Sequence, residues 1–211
     1  MRSLDYERDG AAIYDASFAT IRSEADLSRV PPDLEPVVVR MIHATGDVDI
    51  VPLVAASPDL VSVARGALDD GRPIFCDSMM VASGITRARL GAGNAIRCTL
   101  HDPGIADDAR RAGTTRSAAA VDRWLPDLDG AVAVVGNAPT ALFRLLELVL
   151  AGATRPAAVL GLPVGFVGAA ESKEALATLD HGIPYLTLHG RRGGSAMAVA
   201  ALNALASVKE Q

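Results

Sequence analysis

A single histidine ends an apolar helical pattern in the segment RMIHATGD, residues 40–47. The residues before it, PPDLEPVVVRMIH, predict a helix because prolines stand at its entry, acids in its first turn and Gly46 at its end. His43 would lie in the last turn, where unpaired carbonyl groups favour the imidazolium form, whereas burial beside Val39 would favour the neutral ring. We therefore expect His43 to exchange a proton near neutral pH, with a core or helix-capping histidine as the alternative.

Residues suited to anions follow strand-like apolar runs in the second half of the chain. In VVGNAPTAL, a turn at Asn137 and Ala138 would leave backbone N–H groups of the next helix free for an anion, and Thr140 follows. In GRRGGSAMA, Arg191 and Arg192 lie beside two glycines, and arginine is the better bidentate ligand for carboxylate or phosphate. Because the carboxyl ends of parallel strands meet at one edge, we expect these loops to converge, although each alone is compatible with ordinary turn chemistry.

Methionines and hydroxyl side chains supply the remaining candidate contacts. Met79 and Met80, in DSMMVASGITRARL, are compatible with adaptable core filler or with the floor of a site for a flat apolar ligand, and Thr86 follows them. Tyr14 and Ser17 are three residues apart on a predicted helix and would present two hydroxyls on one face. A solvated helix face is the alternative for this pair.

The charge of the chain argues against nucleic acid as a partner. The formal net charge is −5 at pH 7, although arginine dominates the basic residues and leaves room for a local basic pocket. Arg116 stands at the start of a predicted helix, where its charge opposes the helix dipole. This placement favours a ligand or subunit contact for Arg116 over a purely structural role.

Several common site types have no counterpart in the sequence. Cys76 and Cys98 form no CxxC pair and are expected to be reduced, and His43, Asp47 and Asp49 lack a recognised ligand spacing, so no metal is predicted. The chain contains no GxSxG elbow, Walker loop or GxGxxG fingerprint. No apolar run approaches the roughly 20 residues of a membrane span, and no signal-like segment opens the chain. We expect a soluble cytoplasmic protein.

The arrangement of apolar runs predicts an α/β fold. Half of the 211 residues are hydrophobic but only 4% are aromatic, which suits a core of Ala, Val, Leu and Ile. Strands are predicted at PIFCDS, AIRCTL, AVAVVG, AAVLGLPV and PYLTLHG, and helices near 10–25, 104–112, 115–124, 138–151, 171–180 and 194–207. This alternation predicts a mainly parallel sheet with helices on both faces, a three-layer sandwich forming a single domain over residues 1–211. The last helix is apolar around much of its surface, which suits close packing or an oligomer contact.

Five blocks together resemble the precorrin-8X methylmutase family of cobalamin biosynthesis: RMIHATGD, FCDSMMVASGI, VVGNAPTAL, GLPVGFVGAAESK and GRRGGSAMAVAALNAL. The resemblance implies an isomerase that moves a methyl group from C-11 to C-12 of a tetrapyrrole without a cofactor, with His43 as the catalytic acid. It also implies a homodimer with sites at the subunit interface, to which arginines of a neighbouring subunit contribute. The substrate-binding residues expected are Tyr14, Ser17, Arg40, Met79, Met80, Thr86, Arg116, Asn137, Ala138, Thr140, Arg191 and Arg192.

Three alternatives stay open from the sequence. The substrate could carry cobalt, as in the cobalt-precorrin-8 methylmutases of the anaerobic branch. The chain could be a non-catalytic tetrapyrrole carrier, for which His43 would be dispensable. It could also act on a phosphorylated small molecule held by the GNAPT turn, although that activity would leave Met79 and Met80 unexplained.

Overall fold

The computed structural model describes residues 4–206, which contain one six-stranded sheet. Its strands are β1 (Val54–Ala56), β2 (Ile74–Cys76), β3 (Ile96–Arg97), β4 (Val132–Val135), β5 (Ala158–Gly161) and β6 (Tyr185–Leu188). The strand order is β1-β6-β5-β4-β2-β3, and every neighbouring pair is parallel except β1 with β6. The predicted mainly parallel sheet is confirmed. The sequence prediction missed β1, a short edge strand whose three residues carry too little pattern to be recognised.

Helices connect the strands and cover the sheet. Those of the described residues are α1 (Gly10–Glu24), α2 (Glu35–Thr45), α3 (Leu60–Asp69), α4 (Met79–Gly84), α5 (Ile105–Ala112), α6 (Arg116–Asp122), α7 (Pro139–Leu150), α8 (Ala169–Thr178) and α9 (Ser195–Leu205). None is long and apolar enough to cross a membrane. The sequence prediction missed α4, in which the Ser78 hydroxyl caps the helix by accepting the N–H of Val81 at 3.3 Å. Residue 207 of the predicted last helix, and the ends of the predicted domain over 1–211, lie outside the described residues.

The core consists of two hydrophobic clusters, one on each face of the sheet. Along β4, Val132 and Val134 point into one cluster while Ala133 and Val135 point into the other, as the two-residue period of a strand requires. Helices α2, α3 and α9 supply the first cluster, and α6, α7 and α8 supply the second. Helices therefore cover both faces, which confirms the predicted α/β class.

Helix α2 sets the position of the histidine segment. Its apolar residues are buried and pack alongside α9. Gly46, with φ of 64°, ends the helix, and the Thr45 hydroxyl donates to the carbonyl of Met41 at 3.0 Å. The last turn of α2 thus extends out of the core, and some of its last carbonyl groups accept hydrogen bonds from the chain itself.

Candidate active site

His43 lies at the surface, between α1 and α9. Its side chain is exposed, so the expectation that it is buried with its apolar neighbours is wrong. The physical reason is that Met41 and Ile42 turn into the core, whereas His43 faces the gap beside α1. Its ring centroid lies 5.3 Å from that of Tyr14 and 5.3 Å from that of Phe18, the latter ring being edge-on. An accessible imidazole with an aromatic backing can exchange protons with a bound molecule.

A cation and a phenol stand beside the imidazole. Arg40, one helical turn before His43, donates a hydrogen bond from Nη1 to the Tyr14 hydroxyl. The Arg40 guanidinium also lies over the rings of Tyr14 and Phe18, with its carbon 5.2 and 5.6 Å from their centroids. Because the Tyr14 oxygen accepts from Arg40, its own O–H can donate to a ligand. Phe18, from the same helix as Tyr14, completes this cluster and was not among the predicted site residues.

The His43 cleft is an opening of about 450 Å³ between α1, α2, α4 and α9. It is lined by Tyr14, Arg40, His43, Ala44, Met80, Gly84, Ser195, Ala196, Val199, Ala200 and Asn203. Four of the predicted site residues therefore meet here, namely Tyr14, Arg40, His43 and Met80. Met80 is 73% exposed and Met79 is 48% exposed, so neither is core filler. Met79 does not line the cleft.

One wall of the His43 cleft comes from α9, which the sequence analysis did not include in the site. The cleft residues of α9 recur at the helical period, and the polar residues Ser195 and Asn203 stand at the two ends of an apolar stretch. Asn203, a polar residue inside an alanine-rich helix, was the available sequence signal. Asn203 Oδ1 accepts the N–H of Thr86 at 2.9 Å, and its Nδ2 donates to the carbonyl of Gly84 at 3.2 Å. Asn203 thereby fastens α9 to the end of α4, the helix that carries Met80.

A second cleft of about 860 Å³ lies on the other side of His43, along α1. Ser17 lines this cleft, and its hydroxyl donates to the carbonyl of Ile13 at 2.7 Å. His43 is shared by both clefts. A broad ligand could therefore lie across the imidazole rather than in one small pocket.

The GNAPT turn already holds an anion of the chain itself. The N–H groups of Gly136, Asn137 and Ala138 donate to the Asp77 carboxylate at 2.9, 2.8 and 2.6 Å. At Gly136, Asn137 and Ala138, the turn that leads into α7, the expectation of donors free for a ligand is therefore wrong. Burial raises the pKa of Asp77, while the three backbone hydrogen bonds act in the opposite direction. Gly136 is required for packing, because a Cβ there would lie 2.8 Å from the Cα of Ser195.

Other predicted residues gather at the starts of α6 and α7. The Thr115 hydroxyl donates to Thr140 Oγ1 at 2.8 Å, which links the two helix N-termini. Arg116 and Asn137 are exposed next to this link. None of these residues lines either cleft at His43.

The paired arginines have different surroundings. The Arg191 guanidinium lies over the ring of Phe166, 5.3 Å from its centroid, and Phe166 is 84% exposed. Arg192 instead turns toward the segment that follows α2, where its Nε lies 3.4 Å from Asp47 Oδ2. Arg191 is thus presented outward, whereas Arg192 is engaged within the chain.

The described part of the chain has no cluster of metal-ligating side chains, and its two cysteines are not bonded to each other. Within residues 4–206, no group of three or more His, Cys, Asp or Glu side chains could hold a metal ion. Cys76 and Cys98 are free thiols, and burial raises the pKa of both. The groups that the structure places at His43 are an imidazole, a phenol and a guanidinium, which can donate hydrogen bonds, and the imidazole can also transfer a proton.

These features define an α/β protein with an acid–base group in an apolar cleft, and comparison with known proteins specifies the family. The sequence profile of the CbiC precorrin-8X methylmutase family matches residues 12–208. A precorrin-8X methylmutase from Pseudomonas aeruginosa is 56% identical over 98% of this chain and 100% of that relative. One from Sinorhizobium sp. is 57% identical over 98% of both chains. The chain belongs to the precorrin-8X methylmutase family, and it is therefore an isomerase.

More distant relatives agree with this placement. The solved structure of a precorrin-8X methylmutase from Thermus thermophilus superimposes with a TM-score of 0.84 at 42% identity, covering 93% of this chain and 95% of that one. A cobalt-precorrin-8 methylmutase from Salmonella typhimurium is 43% identical over 81% of this chain and 80% of that relative. The fold is therefore that of the family, and the two relatives named precorrin-8X methylmutase above are more similar to this chain than the cobalt-precorrin-8 methylmutase from Salmonella typhimurium.

Proposed function

We propose that this chain converts precorrin-8X to hydrogenobyrinate by moving the methyl group at C-11 of the macrocycle to C-12. The reaction is an isomerisation, in which one carbon–carbon bond breaks and another forms, so no atom is gained or lost. Metal-free precorrin-8X is favoured as the substrate because relatives with that name are 56% and 57% identical, against 43% for the cobalt-precorrin-8 methylmutase of Salmonella typhimurium.

His43 is proposed as the acid. Its imidazole would protonate, or donate a hydrogen bond to, a ring nitrogen near the migrating methyl group. Withdrawing electron density from the conjugated system lowers the barrier to a 1,5-sigmatropic shift, and such acid assistance contributes about 10²- to 10⁴-fold in rate. The observation that carries this role is the exposed His43 ring, which borders two clefts and lies beside Arg40 and Tyr14.

Binding of the macrocycle is proposed to combine an apolar surface with hydrogen-bond donors. Met80 and the α9 wall would contact the flat face, while Tyr14, Ser17, Arg40 and Thr86 would contact its edge. Met79 and Thr140 are also proposed to contact the substrate. For Asn137 and Ala138, any such contact must come from groups other than the backbone N–H donors that Asp77 occupies.

We propose further that the protein acts as a homodimer in the cytoplasm. Arg116 and Arg191 are exposed but line neither cleft at His43, which supports a role for them at the site of a neighbouring subunit. There they would bind the acetate and propionate arms of the substrate. The free thiols are compatible with a reducing compartment.

The test compares wild type with His43→Ala, using His101→Ala as a matched control at an exposed histidine outside both clefts. Each protein is mixed with metal-free precorrin-8X, and its visible absorption spectrum is followed over time. We expect conversion by wild type and the control, and binding without conversion by His43→Ala. Substantial turnover by His43→Ala would refute the acid role.

The same measurement, made with metal-free precorrin-8X and with cobalt-precorrin-8, separates the alternative functions. Binding without conversion by wild type would favour the carrier, and conversion only of cobalt-precorrin-8 would favour the anaerobic activity. A phosphate-ester enzyme at the GNAPT turn is disfavoured because Asp77 occupies the anion-binding donors. Absence of any spectral change on mixing with the tetrapyrrole would restore that alternative.

A further inference from the structure

Residues to which the proposed reaction gives no role, taken from three of the sequence blocks, meet through side-chain contacts. Lys173, from the ESK of the fourth block, is fully buried in α8. Its Nζ donates to the backbone carbonyl of Arg192, in the GRRGG block, at 2.5 Å. Arg192 in turn contacts Asp47, the last residue of the first block, and Asp49 just after it. The contacts therefore form a continuous path from the interior of the protein to the end of α2.

The guanidinium of Arg192 makes two contacts beyond Gly46. Its Nη1 donates to the carbonyl of Asp49 at 3.1 Å, and its Nε lies 3.4 Å from Asp47 Oδ2. The other carboxylate oxygen of Asp47 accepts the N–H of Asp49 at 3.0 Å, which caps the short helical turn Val48–Leu53. Asp47 thus joins the exit of α2 to Arg192 on one side and to the following turn on the other.

The backbone around Arg192 has little freedom to move. A Cβ at Gly193 would lie 2.6 Å from the carbonyl oxygen of Pro163 and closer still to that of Leu162, so this loop is pressed against the chain that follows β5. Burying a lysine without a carboxylate partner is costly, and burial lowers the pKa of Lys173 to about 8. An apolar residue of similar length at this position would avoid that cost. We therefore attribute the lysine to its hydrogen bond with the Arg192 carbonyl, which fixes the position of that loop.

We propose that Lys173, Arg192 and Asp47 are positioning residues that fix the exit of α2 and thereby hold the His43 imidazole against Tyr14 and Arg40. This inference rests on the proposed role of His43 as the acid. Asp47 is four residues after His43, and only the last turn and Gly46 separate them. Displacement of a reacting group by about 1 Å can lower a rate about 100-fold, so fixing this exit has kinetic value.

The experiment measures kcat and KM for Asp47→Asn, Arg192→Met and the double variant, with Asp69→Asn as a control at an exposed aspartate on α3. We expect each single variant to lower kcat about 10- to 100-fold with KM close to that of wild type. The double variant should be no slower than the slower single variant, because both changes break the same contact, that between Arg192 and Asp47. A rise in KM for Arg192→Met without a change in kcat would overturn the proposal and indicate that Arg192 binds substrate directly.

A second measurement does not depend on turnover. The ring protons of His43 are observed by NMR at one fixed pH in the same variants, with His101 as an internal reference. We expect the chemical shifts of the His43 ring to change in Asp47→Asn and Arg192→Met, while those of His101 stay the same. Unchanged His43 signals in both variants would overturn the proposal. If His43→Ala retained full activity while the His43 signals still moved, the positioning would stand and the proposed acid role would fail.

Discussion

The buried contact between Asp77 and the GNAPT turn allows a quantitative prediction. Asp77→Ala removes the acceptor of three backbone N–H groups at 2.6 to 2.9 Å. Each buried donor left without an acceptor costs about 1–3 kcal/mol. Two effects offset part of the total cost for the three donors: the variant no longer buries a carboxylate, and water can reach the N–H of exposed Asn137. We expect a net loss of about 4 kcal/mol in the free energy of unfolding. Asp77→Asn keeps one oxygen acceptor and should lose about 2 kcal/mol.

The assay is urea unfolding at pH 7, followed by the fluorescence of Trp124, the one tryptophan of the chain. Trp124 is buried and stacks on Phe75, with the ring centroids 5.4 Å apart. Phe75 is two residues before Asp77 along the chain, so the tryptophan lies near the altered site. Asp69→Asn is the control, because it removes the same charge at an exposed position. Equal stability of wild type and Asp77→Ala, or an equal loss in the control, would refute the reasoning.

A small anion supplies an independent check of the same contact. In Asp77→Ala, the vacated space and the three N–H groups should accept formate, since the native ligand there is a carboxylate. Formate should therefore raise the unfolding free energy of Asp77→Ala with concentration and leave that of wild type unchanged. The same small change in both proteins would show that formate acts generally rather than at this turn.

Two further predictions concern charged side chains. Because burial lowers the pKa of Lys173 to about 8, the folded lysine loses its proton at a lower pH than the unfolded one, so wild type should gain stability relative to Lys173→Met between pH 7 and 10. Urea unfolding at both pH values measures this difference, and a constant difference would contradict it. Arg116→Met and Arg191→Met should weaken tetrapyrrole binding and reduce its salt dependence, measured by absorbance titration, whereas Arg65→Met on the exposed face of α3 should do neither. Affinity that is independent of salt in wild type would argue against the arginines as carboxylate ligands.

Local patterns were sufficient to predict most of the secondary structure. Helix α2 follows from its prolines, apolar body and Gly46, and β4 from the run AVAVVG. These signals depend on neighbours along the chain, so they can be read without knowledge of the tertiary structure. The edge strand β1 has no such signal, because its pairing with β6 comes from residues far away in sequence.

The candidate site was predictable only in part, for the same reason. Tyr14, Arg40, His43 and Met80 were expected from residue type and resemblance, and the His43 cleft brings them together. The exposure of His43 depends on the gap between α1 and α9, which no local pattern encodes. Likewise, the loop donors predicted for an anion are occupied by Asp77 from another strand end, a contact that only the assembled sheet creates.

The packing of α2 against α9 has a consequence for the order of folding. The two helices lie near opposite ends of the described chain, yet both are required to form the His43 cleft. Contacts between such distant segments close a long loop, whose entropy opposes their early formation. The Trp124 and Phe75 cluster joins residues much closer along the chain. A refolding molecule should therefore form the cluster around Trp124 and Phe75 early, and complete the other core cluster and the ligand cleft only as the last helix docks.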